Sequence, residues 1–383
     1  MLNMNKILNI VIILLLFSQN SKGQDAFHNF GNVQIHDQGQ VGFHIDLKND
    51  GTFNQNLGLA GFYNTNNALT ISGTEIPKFY NMEVDVEDNL FLQINTEVAN
   101  SLVYINGDVI TPRVTPNISL DFLENSIYAL ENDVRNTDGY ASYNGSNNFT
   151  FPIGQDNKLR PLITPFQTTT TKYAAAYFNE DPNSPSTFTS FNTSISEGII
   201  ENISDDEFWD FNGTQSTSVT LTWDDESFIS QLTTTLDRLR VVGWNINENR
   251  WEDLGNTNTT GSITTGTINS IVFNPQDYEV LTFGSLINKD GLTVFDVITP
   301  NNDGDNETFI IEGIELFENT LQIFNRWGVL VYKAINYKNT FAGISDGRST
   351  IFKDEKLPVG TYFYILELTE SGKQQAGPLY ITY

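Results

Sequence analysis

The chain of 383 residues holds 47 acidic against 20 basic side chains, for a formal net charge of -27, with 39% hydrophobic and 12% aromatic residues and no cysteine. So acidic a surface repels nucleic acid and anionic lipid, and without cysteine the chain can form neither a disulfide nor a thioether lipid anchor. Charged residues make up only 17% of the chain, so charge-driven disorder is excluded, and the length suits about two or three folded domains.

Residues 1–23 carry one early cation, Lys6, an apolar run over residues 7–17 broken only by Asn9, and Ser21 and Gly23 at the small-residue positions of a cleavage site. This is the pattern of a secretory signal peptide. Its removal takes Lys6 and Lys22 and no acid, which moves the formal charge from -27 to -29. No later stretch approaches the roughly 18 apolar residues of a bilayer-spanning helix. The mature chain is therefore expected without a transmembrane segment, at the outer cell surface or in the medium, reached via the periplasm. Divalent cations or neutral polymers suit so acidic a chain as partners.

An all-β, multidomain chain is expected. Over residues 24–146, short β-prone runs recur between Gly and Asn turns, and Met82-Glu83-Val84-Asp85-Val86 alternates with the period of a half-buried strand. The even spacing permits a β-sandwich or a short β-solenoid, and the lack of a strict sequence repeat puts the solenoid second. The Pro- and Gly-bearing stretch over residues 147–162 marks a boundary. It opens a second, mostly β domain over residues 147–284. Within it, Asp224-Asp225-Glu226-Ser227 can cap a single helix along which Phe228, Leu232, Leu236 and Leu239 recur at helical spacing. Residues 285–291 read as a linker. The last domain, residues 292–383, has strand-like runs at 292–298, 309–314, 320–324, 329–334, 360–368 and 378–383. That spacing predicts an immunoglobulin-like antiparallel β-sandwich. A tyrosine corner is expected at Tyr362, two residues after Gly360, its hydroxyl bonding to the upstream backbone.

Four groups of residues invite a chemical reading. Asn301, Asp303, Asp305, Glu307 and, farther on, Glu312 gather hard oxygens that calcium would suit, against the plainer reading of a solvated Asx-rich turn. An EF-hand loop would want Gly at Asn306 and a helix where a strand is read. His28, His36 and His44 are separated by glycines and lack carboxylate partners at ligand spacing. Gly343-Ile344-Ser345-Asp346-Gly347 spells a hydrolase elbow by chance, since no histidine follows it. Asp205-Asp206-Glu207 beside Trp209, and Trp223 beside Asp224-Asp225-Glu226, mix acids with aromatics as a glycosidase cleft would, but buried Trp with solvated acids is the simpler reading. No catalytic residue is assigned and no cofactor is required.

Three C-terminal motifs resemble a known family. They are Ile298-Thr299-Pro300-Asn301-Asn302-Asp303-Gly304-Asp305-Asn306, then Ile323-Phe324-Asn325-Arg326-Trp327-Gly328, then Leu357-Pro358-Val359-Gly360-Thr361-Tyr362. In this order they resemble the gliding-motility-associated C-terminal domain of Bacteroidetes, the type B sorting domain of the type IX secretion system. The resemblance departs at Asn302, at Phe341 and at the final Tyr383, where the family usually has Gly, Trp and a basic residue. It implies passage through the type IX translocon with an outer-membrane partner, then surface attachment or release. Pro300, Asn301, Asp303, Gly304, Asn325, Arg326, Trp327, Gly328, Gly360 and Tyr362 carry the motifs. In the hairpin turn, Trp327 is expected to pack at the end of the sandwich, Gly328 to take a positive φ, and Arg326 is open to recognition or stacking. The upstream part resembles uncharacterised ectodomains of the same kind of secreted protein. A non-catalytic adhesion or structural role, with a glycan or protein ligand, is expected for it. A secreted polysaccharide hydrolase and a motility or envelope-assembly component are the alternatives.

Overall fold

The structure, a computed structural model, describes residues 26–287, 292–346, 355–369 and 374–383. The expected signal peptide lies outside the described residues, as does most of the expected linker. Two compact units are formed: one runs to Glu197 and resumes over Asn202–Ser285, and the other comprises Leu286–Tyr383 with Gly198–Glu201. Among the described residues no helix is long and apolar enough to cross a membrane.

The first unit begins as a coil of parallel strands that alternate between two sheets. One sheet takes Ala26–Asn29, Asp46–Asn49, Leu69–Gly73, Leu90–Leu92, Val109–Ile110, Thr137–Asp138 and Ile153–Gln155 in succession. The other takes Gln40–Phe43, Leu59–Asn64, Lys78–Val86, Thr96–Asn106, Leu120–Leu123 and Ala141–Gly145. Ala26 lies opposite Asp46, Leu69 opposite Leu90 and Leu90 opposite Val109, about twenty residues per turn, the short rung of a β-solenoid. Stacking places like on like: Leu69, Leu90, Val109, Thr137 and Ile153 form one inward column. Thr137 is tolerated there because Tyr104 shares a 2.7 Å hydroxyl bond with it. Phe43 stacks on Phe62 at 5.0 Å, and Phe79 meets both Phe62 and Phe53 edge-on.

The corners are stapled by asparagine. Asn29 donates to Asn49 Oδ1 at 2.8 Å, and Asn49 Nδ2 donates to the Glu75 carbonyl at 2.7 Å. The next position in register is Gly73, at φ +125, where a Cβ would come within 2.1 Å of the Asn49 carbonyl oxygen. Glycine is required there.

Strand direction changes at Ala141–Gly145, which pairs antiparallel with Thr171–Phe178. The same sheet then continues antiparallel through Phe208–Gly213, Tyr278–Leu286, Leu239–Asn245 and Arg250–Asp253. A five-stranded sheet that includes Phe149–Phe151, Leu162–Thr164 and Thr220–Trp223 packs against it, with Tyr143 stacked on Phe149 at 4.3 Å and Trp223 edge-on to Phe283 at 6.0 Å. Solenoid and sandwich thus both occur, within one unit. The segments 24–146 and 147–284, expected as separate domains, share one sheet and one hydrophobic core. The anticipated boundary marks the change of direction.

The expected helix over residues 224–239 is a correction. Asp224 does cap a turn, a 3-10 turn over Asp225–Ser227, but Phe228 adopts φ +47 and only Ile229–Leu232 is α-helical. A left-handed residue inside the run breaks the hydrogen-bond ladder. Thr233 then returns to extended backbone.

The second unit is built on a five-stranded sheet in the order Val297–Ile298, Gln374–Ile381, Gly360–Leu368, Asn319–Phe324, Leu330–Ile335. Its pairings are antiparallel except that of the short Val297–Ile298. Phe309, Ile311, Ile314, Tyr337 and Phe341 join the sheet's Leu321, Ile323, Tyr364 and Leu379 in one core. The strand expected at 309–314 is reduced to a bridge between Val294 and Ile311. The Asn339 side chain serves the Ile311 N–H at 2.9 Å and its carbonyl at 3.3 Å, so that residue has less need of a second strand.

Candidate functional site

Two of the three C-terminal motifs meet in space. The hairpin between Asn319–Phe324 and Leu330–Ile335 is closed by Asn325, whose carbonyl accepts from Gly328 N at 2.9 Å and whose Oδ1 accepts from the N–H groups of Trp327 and Val329 at 3.0 Å. Gly328 sits at φ +76, as expected of a hairpin turn that ends in a left-handed residue. The turn carries Trp327 away from the core. That side chain is 72% exposed, which corrects the expectation that it packs at the end of the sandwich. The Arg326 guanidinium lies 4.2 Å from its ring centroid, a cation–π pair that rigidifies an exposed aromatic.

The facing wall is the Leu357–Tyr362 motif. The Tyr362 hydroxyl donates to the Pro358 carbonyl at 2.9 Å, the tyrosine corner expected from the sequence. Between the two motifs lies a cavity of about 670 Å³ lined by Asn325, Arg326, Trp327, Val331, Val359 and Tyr362 among others. A second cavity of about 460 Å³ opens on Arg326 and Gly328, with Phe363 and Tyr364. Val359 and Phe363 are themselves exposed. Sequence reading missed both; the signal was an apolar residue on the outward phase of a strand whose Tyr362 and Tyr364 face in.

The first motif forms an exposed loop. The Asn301 carbonyl oxygen of the side chain accepts from Asp303 N, Asp303 Oδ1 from Asp305 N, and Glu307 Oε1 from Gly304 N. The Asp305 amide, and after it the Asn301 side-chain amide that donates to Asp303 Oδ2 at 2.9 Å, hold the Asp303 carboxyl below its ordinary range. Asn302, Gly304 and Asn306 take positive φ. One side-chain oxygen each of Asn301, Asp303 and Glu307 is thus turned to a backbone amide, and Glu312 stands apart on the segment whose N–H bonds to Thr293. Among the described residues no group of three or more His, Asp or Glu is arranged to hold a metal ion.

Residues 292–381 match the family model described as the CHU_C type IX secretion signal domain. The chain thus carries, over these residues, a match to a type IX secretion signal domain. No curated protein and no solved structure matches the chain. The sorting domain is preceded by an upstream unit for which geometry alone speaks.

There, the two acid–tryptophan stretches do come together, on a residue that sequence reading did not single out. Buried Arg160 donates from Nε to Glu207 Oε2 at 3.2 Å and binds both oxygens of Asp224. Tyr177 donates to the same Glu207 oxygen at 2.6 Å, and Trp209 Nε1 donates to the Arg160 carbonyl at 3.1 Å. Burial raises the Glu207 pKa while Arg160 opposes it. A glycosidase pair faces an open cleft with substrate between; here a guanidinium stands between the carboxylates and Glu207 is sealed. Asp205, Asp225 and Glu226 are exposed, and Lys158 pairs with Glu226 at 3.0 Å. Asp206 is raised by burial and then by its neighbour Asp205.

A second buried acid escaped the sequence reading. Asp210 accepts from Tyr140 at 2.5 Å and from Asn212 at 2.6 Å, and burial pushes it up to about 7. The hint was an acid inside the aromatic run Phe208-Trp209-Asp210-Phe211. The histidines stay separate: His28 pairs with Asp50 at 2.6 Å, and His44 bonds the Tyr63 carbonyl at 3.1 Å. Ser345 is buried, on a segment bonded to the Glu355 carbonyl, and Gly347 lies outside the described residues.

Proposed function

We propose that this secreted protein, marked by its type IX signal for the cell surface or the extracellular space, carries a non-catalytic adhesion or structural ectodomain. One observation carries the reading. The carboxylates best placed for hydrolysis, Glu207 and Asp224, are bound by Arg160, and the tryptophans beside them, Trp209 and Trp223, are buried. Neither of these two carboxylates, nor an aromatic platform beside them, is then left to a substrate. A glycan array run beside a hydrolysis screen on the secreted protein tests this. Retention without turnover, with Asp206→Asn and Asp225→Asn behaving as the parent, is expected; turnover that either substitution abolishes would establish a hydrolase instead.

The groove between the hairpin and the Leu357–Tyr362 segment is the surface we assign to the secretion machinery. Its support is the pairing of an exposed Trp327 with Arg326 in a cavity built by two sorting motifs, since exposed aromatic and Arg side chains in a pocket are the usual anchors of binding. Deletion of residues 292–383 is expected to trap the chain in the periplasm. Normal surface appearance of the truncated chain would overturn the assignment of export to this unit.

A further inference from the structure

We propose that the outer face of the parallel sheet, beside the corner at Asp37–Gln40, is a binding trough for a neutral polysaccharide. The inference rests on the reading of the ectodomain as a binder and names its site and ligand class. Strand register sets two rows of outward side chains across the coil. Gln40, Leu59, Asn81, Ser101 and Ile127 form one. Gly42, Gly61, Glu83, Val103 and Ala129 form the other. Apart from Glu83 the second row holds nothing larger than valine, so it forms a shallow channel on either side of Glu83. The two rows cross five strands spaced by about 4.8 Å, roughly 19 Å in all, which suits an oligosaccharide stretch better than one sugar.

Tyr63 lies down in the glycine end of this channel. A Cβ at Gly61 would fall 2.0 Å from its hydroxyl, and one at Gly42 would fall 3.3 Å from its ring. Its hydroxyl donates to Glu83 Oε2 at 2.7 Å, and burial together with Glu83 pushes the phenol up to about 12. Two glycines inside strands are an intrinsic loss; what they create here is a half-buried aromatic ring held against the sheet. The adjoining cavity, about 440 Å³, is lined by Asp37, Leu57, Tyr80, Asn81, Glu83 and Ser101 among others, with no Lys or Arg. Asn81 Oδ1 accepts from Asn100 Nδ2 and from Ser101 Oγ, each at 2.7 Å, which fixes the amide.

Tyr80 in the lining and Tyr63 beside it, bonded to the lining's Glu83, set rings next to fixed amide and carboxylate groups, which match a pyranose, whose C–H face stacks on a ring while its hydroxyls pair with the polar groups. The sign of charge narrows the class. Asp37 and Glu83 face the cavity without a cation in its lining, and the chain carries -27 overall, so uronate and sulfated polymers are repelled.

The test is affinity electrophoresis of the full secreted chain through gels of glucomannan, hydroxyethyl cellulose, dextran and, as the anionic control, polygalacturonate. Tyr63→Ala removes the platform, and Val103→Trp fills the channel from a half-buried outward position. Retardation by at least one neutral polymer is expected, weakened at least tenfold in both variants while thermal unfolding of Val103→Trp stays that of the parent. Unchanged retardation in Val103→Trp would overturn the trough and leave the binder reading intact. Retardation by polygalacturonate alone, or by none of the polymers, would overturn the ligand class. Release of reducing ends would instead overturn the non-catalytic reading.

Discussion

The two units treat tryptophan in opposite ways. Trp209, Trp223, Trp244 and Trp251 of the upstream unit are at most 9% exposed, whereas Trp327 of the sorting domain is 72% exposed. The buried four are each tied into the core by neighbours: Trp223 and Trp209 meet Phe283 edge-on, and Trp244 meets Trp251 at 5.7 Å. Trp327 has a cation instead, Arg326, at 4.2 Å. The same side chain stabilises one unit through area removed from water and leaves the other unit with apolar area still to be removed. On the proposed reading that difference separates a residue kept for folding from a residue kept for a partner, and it can be tested by substitution.

Trp209→Ala carries the largest expected effect. Its indole fills a position with no exposure and donates to the Arg160 carbonyl. Loss of the ring should destabilise the upstream unit by about 3–5 kcal/mol, read as a fall in the denaturant midpoint of its transition. A change below about 1 kcal/mol would mean that the core repacks and that burial does not mark the folding tryptophans.

Arg160→Met comes next. It leaves Glu207 buried with Tyr177 and Ser227 as its remaining partners, and breaking a buried pair in this way costs about 3–5 kcal/mol, lessened here because Asp224 is half-exposed and can rehydrate. The combined Arg160→Met, Glu207→Gln variant should recover most of the loss. Failure to recover would show that packing of the guanidinium, more than charge, holds this junction.

An effect spread over pH, and so smaller at any one pH step, comes from Asp210. Burial pushes its folded pKa up to about 7, above the ordinary aspartate value of 3.8, so between those values the folded chain holds a proton that the unfolded chain has lost. Stability therefore falls as pH rises from about 4 to about 7, by up to about 1.4 kcal/mol per pH unit, and levels off above. Asp210→Asn should flatten that slope in a series of urea titrations. A parent chain whose stability is flat over the same range would place Asp210 in contact with water.

How far the sequence reveals these features depends on the range of the interaction. The tyrosine corner at Tyr362 was legible, since its partner Pro358 is four residues away. So was the strand Gly360–Leu368, whose alternation is local. The solenoid stood second because its columns ask for inward-facing side chains and not for one letter: Leu69, Leu90, Val109, Thr137 and Ile153 stack with four residue types in five places. The helix at 224–239 was over-read because spacing cannot register that Phe228 turns left-handed. The Arg160 cluster was beyond reach, its partners lying 47 and 64 positions away. Trp327 was misread for a different reason: average behaviour puts tryptophan inside, and only the geometry of the Asn325 turn turns it out.

That last residue gives the sharpest contrast and the smallest change in stability. Trp327→Ala removes an exposed ring whose backbone N–H, bonded to Asn325, stays in place, so the midpoint of the sorting domain should move by no more than about 0.5 kcal/mol. Export should nonetheless fall, with the folded chain accumulating in the periplasm when cell fractions are probed by immunoblot. Arg326→Ala should fall less far, because the indole that remains still presents most of the apolar area. Trp327→Phe should restore part of the loss, since a smaller ring keeps the stacking face. A Trp327→Ala chain that loses several kcal/mol would be packing its ring after all, and one that is exported normally would leave the exposed tryptophan without a partner in secretion; either result would erase the distinction between the two units.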